Sequence, residues 1–318
     1  MKSNPLVSVI IPAYNCEKYL DRALSSVMNQ TWPQYECIVI DDGSTDKTSD
    51  VAKQWEDKIR YEYQENAGAS TARNRGIELA QGELIAFLDA DDSWVETKLE
   101  SQIILFQQYP ELALVCTGTL LVKEASNQVH SNLYAAELDP SAVEIYLDFG
   151  DLIENPYLAT STVMVPTKLA RSLNGFDANL RTAEDLDFYF KCCWERTFAK
   201  INQQLVYKAD IDESLGNGPD TYLDNLFVID RFCKNYPDTL KRYEKSIHKQ
   251  KSHIYSRWIS YSLYLGNGVL VRSLLKEAEQ FEIKGKMKYL LKSFFCHLIA
   301  KLKNRQLVET VPVESKKY

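Results

Sequence analysis

Strand-length patterns and helix-length patterns alternate through the first 92 residues, and this alternation limits the fold more than any other feature of the chain. Residues 6–11 are an almost unbroken apolar run rich in β-branched side chains, the pattern of a strand covered on both faces. Further strand patterns fall at residues 36–40, 59–63 and 83–88. Helix patterns at 16–29, 46–55 and 70–80 separate them, the first with Tyr19, Leu20, Ala23, Leu24 and Val27 on one side. Strands spaced by helices imply βαβ units and a parallel sheet. The expected class is α/β, a Rossmann-like, mainly parallel mixed sheet flanked by helices.

Beyond residue 92 the pattern changes. Helices are predicted at 96–109, 142–149 and 184–196, and strands at 112–122, 161–166 and 199–208, with 127–134 pairing beside the first of these. From residue 221 the chain reads as helical throughout, and Gly216, Gly218 and Pro219 mark a boundary. Two regions are expected, 1–215 and a helical 216–318. The formal net charge of −7 argues against nucleic acid as a partner. No run of about 18 apolar residues suggests a transmembrane helix, and the N-terminus lacks a signal-peptide pattern, so a cytoplasmic location is expected. The seven cysteines are scattered without a CxxC pair, which disfavours zinc and fits buried thiols in a reducing compartment.

The strand ends carry the chemistry. Ligands of open α/β sheets bind beyond the carboxyl ends of the strands. Here those ends read Pro12-Ala13-Tyr14-Asn15, Asp41-Asp42-Gly43-Ser44 and Asp89-Ala90-Asp91-Asp92, and Asn66-Ala67-Gly68 leads into a helix bearing Arg73. One acidic strand end is commonly only a helix cap; four polar ends on one edge point to a site. Asp89 and Asp91 offer hard oxygen ligands suited to Mg²⁺ or Mn²⁺. An EF-hand is excluded, because Trp94 stands where that loop requires glycine. The segment 89–93 also loosely resembles the aspartyl nucleophile loop of haloacid-dehalogenase-like phosphatases, although that loop follows a first strand and this one a fourth.

Taken together, VSVIIPAYN (7–15), VIDDGSTDKT (39–48), NAGASTARNRG (66–76), GELIAFLDADD (82–92), LNGFD (173–177) and AEDLDF (183–188) resemble the family 2 glycosyltransferases. The resemblance covers about residues 5–215. It implies a GT-A fold and inverting transfer of a sugar from a nucleotide-diphosphate donor, a UDP-sugar first among them. The acceptor it implies is a hydroxyl of a saccharide or lipid-linked glycan. Residue by residue, it implies that Pro12, Ala13 and Tyr14 line the nucleotide-base pocket and that Asp41 bonds the base edge. Arg73 would lie near the base and phosphates, and Asp89 would contact the ribose or the metal. Asp91 would ligate the metal directly, with Asp92 touching the donor sugar or supporting the metal. Asn15, Asp42, Gly68 and Ala90 complete the substrate-facing set. Glu184 and Asp185 resemble the acceptor-side acidic pair, with Asp185 as catalytic base. Their other reading, acids favoured in a first helical turn, is compatible with that role. Two rivals stand beside this reading: a phosphatase with Asp89 as nucleophile, and a non-catalytic nucleotide-sugar binder. Lys208 has no nearby histidine, a departure from many relatives, and 124–155 matches no known segment and is expected to shape the acceptor pocket.

Residues 284–305 form a basic amphipathic pattern, with Met287, Leu291, Phe294, Leu298 and Leu302 in a stripe and Lys288, Lys292 and Lys303 beside it. Two readings stay open. The stripe docks on the catalytic region or on a second copy of the chain, or it rests on the inner face of an anionic membrane. Tyr255, Trp258, Tyr261 and Tyr264 read as helix packing rather than as a sugar platform.

Overall fold

The computed structural model describes residues 4–123, 138–146, 148–156, 158–210 and 219–302. The chain divides into two compact units, Met1–Ser214 and Leu215–Tyr318.

The first unit is built on β1 (Val7–Ala13), β2 (Tyr35–Asp42), β3 (Arg60–Gln64) and β4 (Leu84–Phe87), which run parallel in the order β3-β2-β1-β4. Six of the seven β1 residues are buried because helices cover both sheet faces. The helices between these strands are α1 (Leu20–Met28), α2 (Thr48–Lys53) and α3 (Ala69–Leu79). Gly76 of α3 lies directly on β1, where a Cβ would stand 2.3 Å from Ile10 Cγ2. Only glycine permits that approach, and it brings the start of α3 to the strand ends.

The sheet continues with β5 (Ser93–Trp94), β6 (Leu114–Lys123), β7 (Val143–Tyr146), β8 (Met164–Pro166) and β9 (Phe198–Asp210). β8 lies antiparallel between β4 and β6, and the order then runs β6-β9-β5, with β7 on β9. Helices α4 (Lys98–Gln108), α5 (Phe149–Glu154), α6 (Thr167–Ser172) and α7 (Glu184–Cys193) complete the unit. Phe87, Phe176 and Phe188 pack edge-to-face and stacked between sheet and α7, with centroids 4.3–6.1 Å apart.

Two predicted elements differ, and one strand was not predicted. The helix expected at 142–149 is a 3₁₀ turn (Pro140–Ala142), then β7, then α5. Cross-strand packing decides this: Tyr146 stacks on Phe198 at 4.9 Å and Glu144 accepts from Asn202. Asp148 then caps α5 through the Gly150 N–H. The strand expected at 161–166 is reduced to Met164–Pro166, since Thr160–Thr162 form a 3₁₀ turn. The two-residue β5, unforeseen in the sequence, exists through its pairing with β9. The expected strand at 127–134 lies outside the described residues. Cys16, Cys37, Cys116, Cys192 and Cys193 are buried free thiols.

The second unit contains α8 (Pro219–Asn235), α9 (Pro237–Tyr264), α10 (Gly268–Glu277) and α11 (Lys286–Leu302). Trp258 stacks on Tyr222 and Tyr255 on Phe281, as packing predicts, whereas Tyr264 is exposed. On α11, Ser293 is buried while Met287, Leu291 and Phe294 are exposed. The side chains of Leu298 and Leu302 lie outside the described residues. Among the described residues no helix is long and apolar enough to cross a membrane.

Candidate active site

Strand register gathers the polar ends. Ala13 pairs with Asp41, and the Leu88 N–H donates to Ile10 O, so the ends of β1, β2 and β4 lie side by side. Asn15, in the left-handed region at φ 48°, locks the first two loops together. Its side chain accepts from the Thr45 N–H and its own N–H donates to Ser44 Oγ. Pro12 is half-buried, Ala13 is buried and Tyr14 is exposed at the rim.

The two aspartates ending β2 are buried and engaged. Asp41 accepts from the Ser44 N–H at 2.8 Å and the Tyr61 hydroxyl at 2.6 Å. Each oxygen keeps a second lone pair. Asp42 accepts from Gln64, the Ala67 N–H and the Gly68 N–H, and so fixes the loop that starts α3. Gly68, at φ +91°, makes the turn there.

Arg73 of α3 is the hub. Its Nη2 donates to Asp89 at 2.8 Å and its Nη1 to Glu184 at 3.0 Å, while the guanidinium faces the Phe176 ring at 5.3 Å. Asn74 exchanges two hydrogen bonds with the Phe176 backbone, which pins the 173–177 segment on α3. The two acidic centres, far apart in sequence, therefore meet at one buried cation.

Asp89, Asp91 and Asp92 each present a carboxylate oxygen within 4.8 Å of the others. Burial pushes the Asp89 carboxyl up, but the charge and hydrogen bond of Arg73 prevail and hold it below its ordinary value. Burial, and then repulsion from Asp89, raise Asp91. Burial and both neighbours push Asp92 up to about 7. Close carboxylates with this mutual repulsion are a hard-oxygen set that fits a divalent cation. The three are not equivalent. Asp92 is buried and committed to the Ser161 hydroxyl at 2.6 Å and the Ala209 N–H at 3.2 Å. Asp89 and Asp91 are only partly buried. Ala90, between them, is buried.

Glu184 and Asp185 open α7. Ala183, which precedes them, sits in the left-handed region at φ 62°, a strained conformation for a residue with a Cβ. Burial raises Asp185, and Asp89 and Lys208 both act on its charge. Burial and Asp185 push Glu184 up to about 7, against the pull of Arg73. Lys208, on β9, also lowers Asp89, Asp91 and Asp92. Asp185 and the aspartate cluster thus share one electrostatic neighbourhood.

Some participants have no motif in the sequence. Ser161 donates to Asp92 and accepts from the Asp89 N–H at 3.0 Å, so a 3₁₀ turn orders the cluster. Arg22 of α1 donates to the Asp91 carbonyl. Trp94 donates to Ser161 O. Arg22 stands on a predicted helix and Trp94 on the unforeseen β5, and both face the site only once the elements are packed.

Comparison with known proteins identifies the family and the fold. Residues 8–150 match the family described as Glycosyl transferase family 2. "Putative teichuronic acid biosynthesis glycosyltransferase TuaG" of Bacillus subtilis (strain 168) is 36% identical over 186 residues, 57% of this chain and 69% of that protein. An uncharacterized glycosyltransferase of Rickettsia typhi is 34% identical over 196 residues, and the match spans 60% of its length. Among solved structures, S. aureus TarS 1-349 superposes with a TM-score of 0.63 at 18% identity over 96% of this chain and 98% of that one. The mannosyltransferase PcManGT from Pyrobaculum calidifontis, in complex with GDP-Man and Mn²⁺, gives 0.59 at 17% identity over 95% of this chain and 88% of that one. These likenesses establish the GT-A fold, and the match to the Bacillus relative over more than two thirds of its length establishes the kinship: the chain belongs to glycosyl transferase family 2.

Proposed function

We propose that this glycosyltransferase moves a sugar from a nucleotide-diphosphate donor, a UDP-sugar in the first instance, to a hydroxyl of a saccharide or lipid-linked glycan, with inversion at the transferred carbon. The observation that carries this reading is Arg73, which joins Asp89 on one side to Glu184 on the other. Such a transfer needs one acidic group for the departing diphosphate and another for the incoming hydroxyl, within one site.

On the donor side, Pro12, Ala13 and Tyr14 form the wall for the base, and Asp41 uses its remaining lone pairs on the base edge. Asp91, with Asp89, would hold Mg²⁺ or Mn²⁺, which when bound offsets the negative charge of the leaving diphosphate. Asp92 is held by Ser161 and the Ala209 N–H and orients that pair. Lys208 supplies a fixed positive charge from β9 on the same side. Mn²⁺ and GDP-Man in the Pyrobaculum relative support this assignment.

On the acceptor side, Asp185 takes the proton of the attacking hydroxyl. Its burial raises its proton affinity above that of an ordinary aspartate, which favours taking that proton. Glu184 orients Arg73 and Asp185 together. A positioned base contributes about 10²–10⁴-fold. The phosphatase alternative requires a free Asp89 nucleophile; here Asp89 is tied to Arg73, and the family is one of glycosyltransferases.

On α11, exposed Met287, Leu291 and Phe294 with Lys288 and Lys292 support peripheral contact with an anionic membrane, where a lipid-linked acceptor would reside. Vesicle sedimentation tests this: Leu291→Glu with Phe294→Glu should abolish binding to anionic vesicles, and unchanged binding excludes it. For the activity, a thermal-shift screen of nucleotide sugars with Mg²⁺ or Mn²⁺ is the first test. A donor that binds the native state raises the midpoint by mass action. No shift with any nucleotide sugar in either metal would overturn the reading.

A further inference from the structure

A second concavity adjoins the acidic site. It is a cavity of about 490 Å³ lined by Thr117 and Thr119 of β6, Tyr146 of β7, Asp151 of α5 and Asn155 just beyond it, and Lys200 of β9. We infer that this cavity is the subsite for the acceptor saccharide, bound through its hydroxyls.

Position is the first ground. Val115 of β6 and Ala86 of β4 both pair with Met164 of β8, so β6 and β4 run the same way and Thr117–Thr119 stand level with the start of the aspartate loop. Ala159 closes one wall of the cavity. The next residue, Thr160, accepts from the Tyr189 hydroxyl at 3.2 Å, and Tyr189 lies one helical turn beyond Asp185 on α7. Ser161 follows and holds Asp92. One short turn therefore separates the cavity from both the proposed base and the aspartate cluster.

Chemistry is the second ground. The volume falls within the roughly 300–1,000 Å³ of small-molecule sites. The lining combines the stacked Tyr146–Phe198 pair with an exposed carboxylate, an amide, two hydroxyls and an ammonium. The Lys200 ammonium stands beside Glu144, its cross-strand neighbour on β7, and acts on that carboxylate's charge. A nucleotide would meet Asp151 unfavourably, and an apolar ligand would strand these polar groups. A saccharide satisfies them: Asp151 and Asn155 accept from hydroxyls, Lys200 donates, and the aromatic pair takes an apolar sugar face. β7 and α5, which build the wall, fall within the stretch expected to shape an acceptor pocket.

The inference rests on the glycosyltransferase reading and is tested separately from it. Saturation-transfer-difference NMR on the full chain would use methyl glycosides of glucose, galactose, mannose, N-acetylglucosamine and glucuronic acid. UDP and GDP with Mn²⁺ serve as probes of the other site. At least one glycoside should bind the wild type. Asp151→Asn and Lys200→Gln should each weaken it about tenfold, with nucleotide binding and thermal midpoint unchanged. Both positions are at least partly solvent-accessible, so both variants should fold. Nucleotide binding without any glycoside binding, or glycoside binding indifferent to both substitutions, would overturn the cavity assignment alone. Failure of both nucleotides to bind would overturn the donor reading instead.

Discussion

Arg73 donates to Asp89 across 2.8 Å from a side chain that is only 7% exposed. The other arm of the same guanidinium reaches Glu184 at 3.0 Å. Arg73→Met should leave both carboxylates without their cation. Breaking a buried pair costs about 3–5 kcal/mol. Asp89 is 25% exposed, so the lower end applies. A loss of about 3 kcal/mol corresponds to a fall in midpoint on the order of 6–12 °C for a unit of this size. Arg73→Lys restores the charge but not the fork, so it should recover part of the stability and little transfer. Calorimetry and a transfer assay on both variants check this; wild-type transfer in Arg73→Lys would refute the bridging role.

Asp185→Asn should lower kcat by about 10²–10⁴-fold and leave the donor KM near its wild-type value. The backbone bond from the Leu186 N–H to Asp185 Oδ1 can be kept by the amide, so the fold should persist. Steady-state kinetics with a varied donor separate the two parameters. A raised KM with an unchanged kcat would move Asp185 to the donor side.

Ala183 holds a left-handed conformation immediately before the acidic pair, with φ 62°. That geometry costs an L-residue about 1–2 kcal/mol, part of which glycine would give back. Ala183→Gly should raise the midpoint by about 1–3 °C. If the strain aims Glu184 and Asp185, the same change should lower transfer severalfold. A lower midpoint would show that the Ala183 methyl group stabilises more than its backbone strain costs.

Lys98 is fully buried beneath the site, bonded to Gln102 at 2.7 Å and 3.9 Å from the centre of the Trp94 ring. Burial holds its ammonium well below the ordinary 10.5. Between that lowered value and 10.5 the unfolded chain binds more protons than the folded one, so stability rises with pH in this window. Lys98→Met should flatten that rise. Denaturant titrations from neutral to alkaline pH measure it, and an unchanged slope would show that Lys98 titrates normally in the folded protein.

The legible parts of the fold were those set by local pattern. The buried run of β1, the helix repeats and the polar strand ends were readable because period and burial follow from adjacent residues. Asp89 and Asp91 could be named for the same reason, as charged residues at the end of a patterned strand, whereas Glu184 and Asp185 were named through the resemblance of residues 183–188 to the family. What pairing at a distance decides was not readable. β7 became a strand through Phe198, fifty or so residues further on, and Ser161 entered the site because a 3₁₀ turn aims its hydroxyl at Asp92. Nor does any spacing reveal that one arginine joins the two acidic centres, since Arg73 and Glu184 are 111 residues apart.

Titration calorimetry of UDP and GDP, with Mn²⁺ and with EDTA, on wild type and Asp91→Ala, tests the donor site most directly. The expected result is binding of at least one nucleotide by the wild type in Mn²⁺, lost in EDTA and lost in Asp91→Ala. Equal affinity in all of these conditions would contradict it.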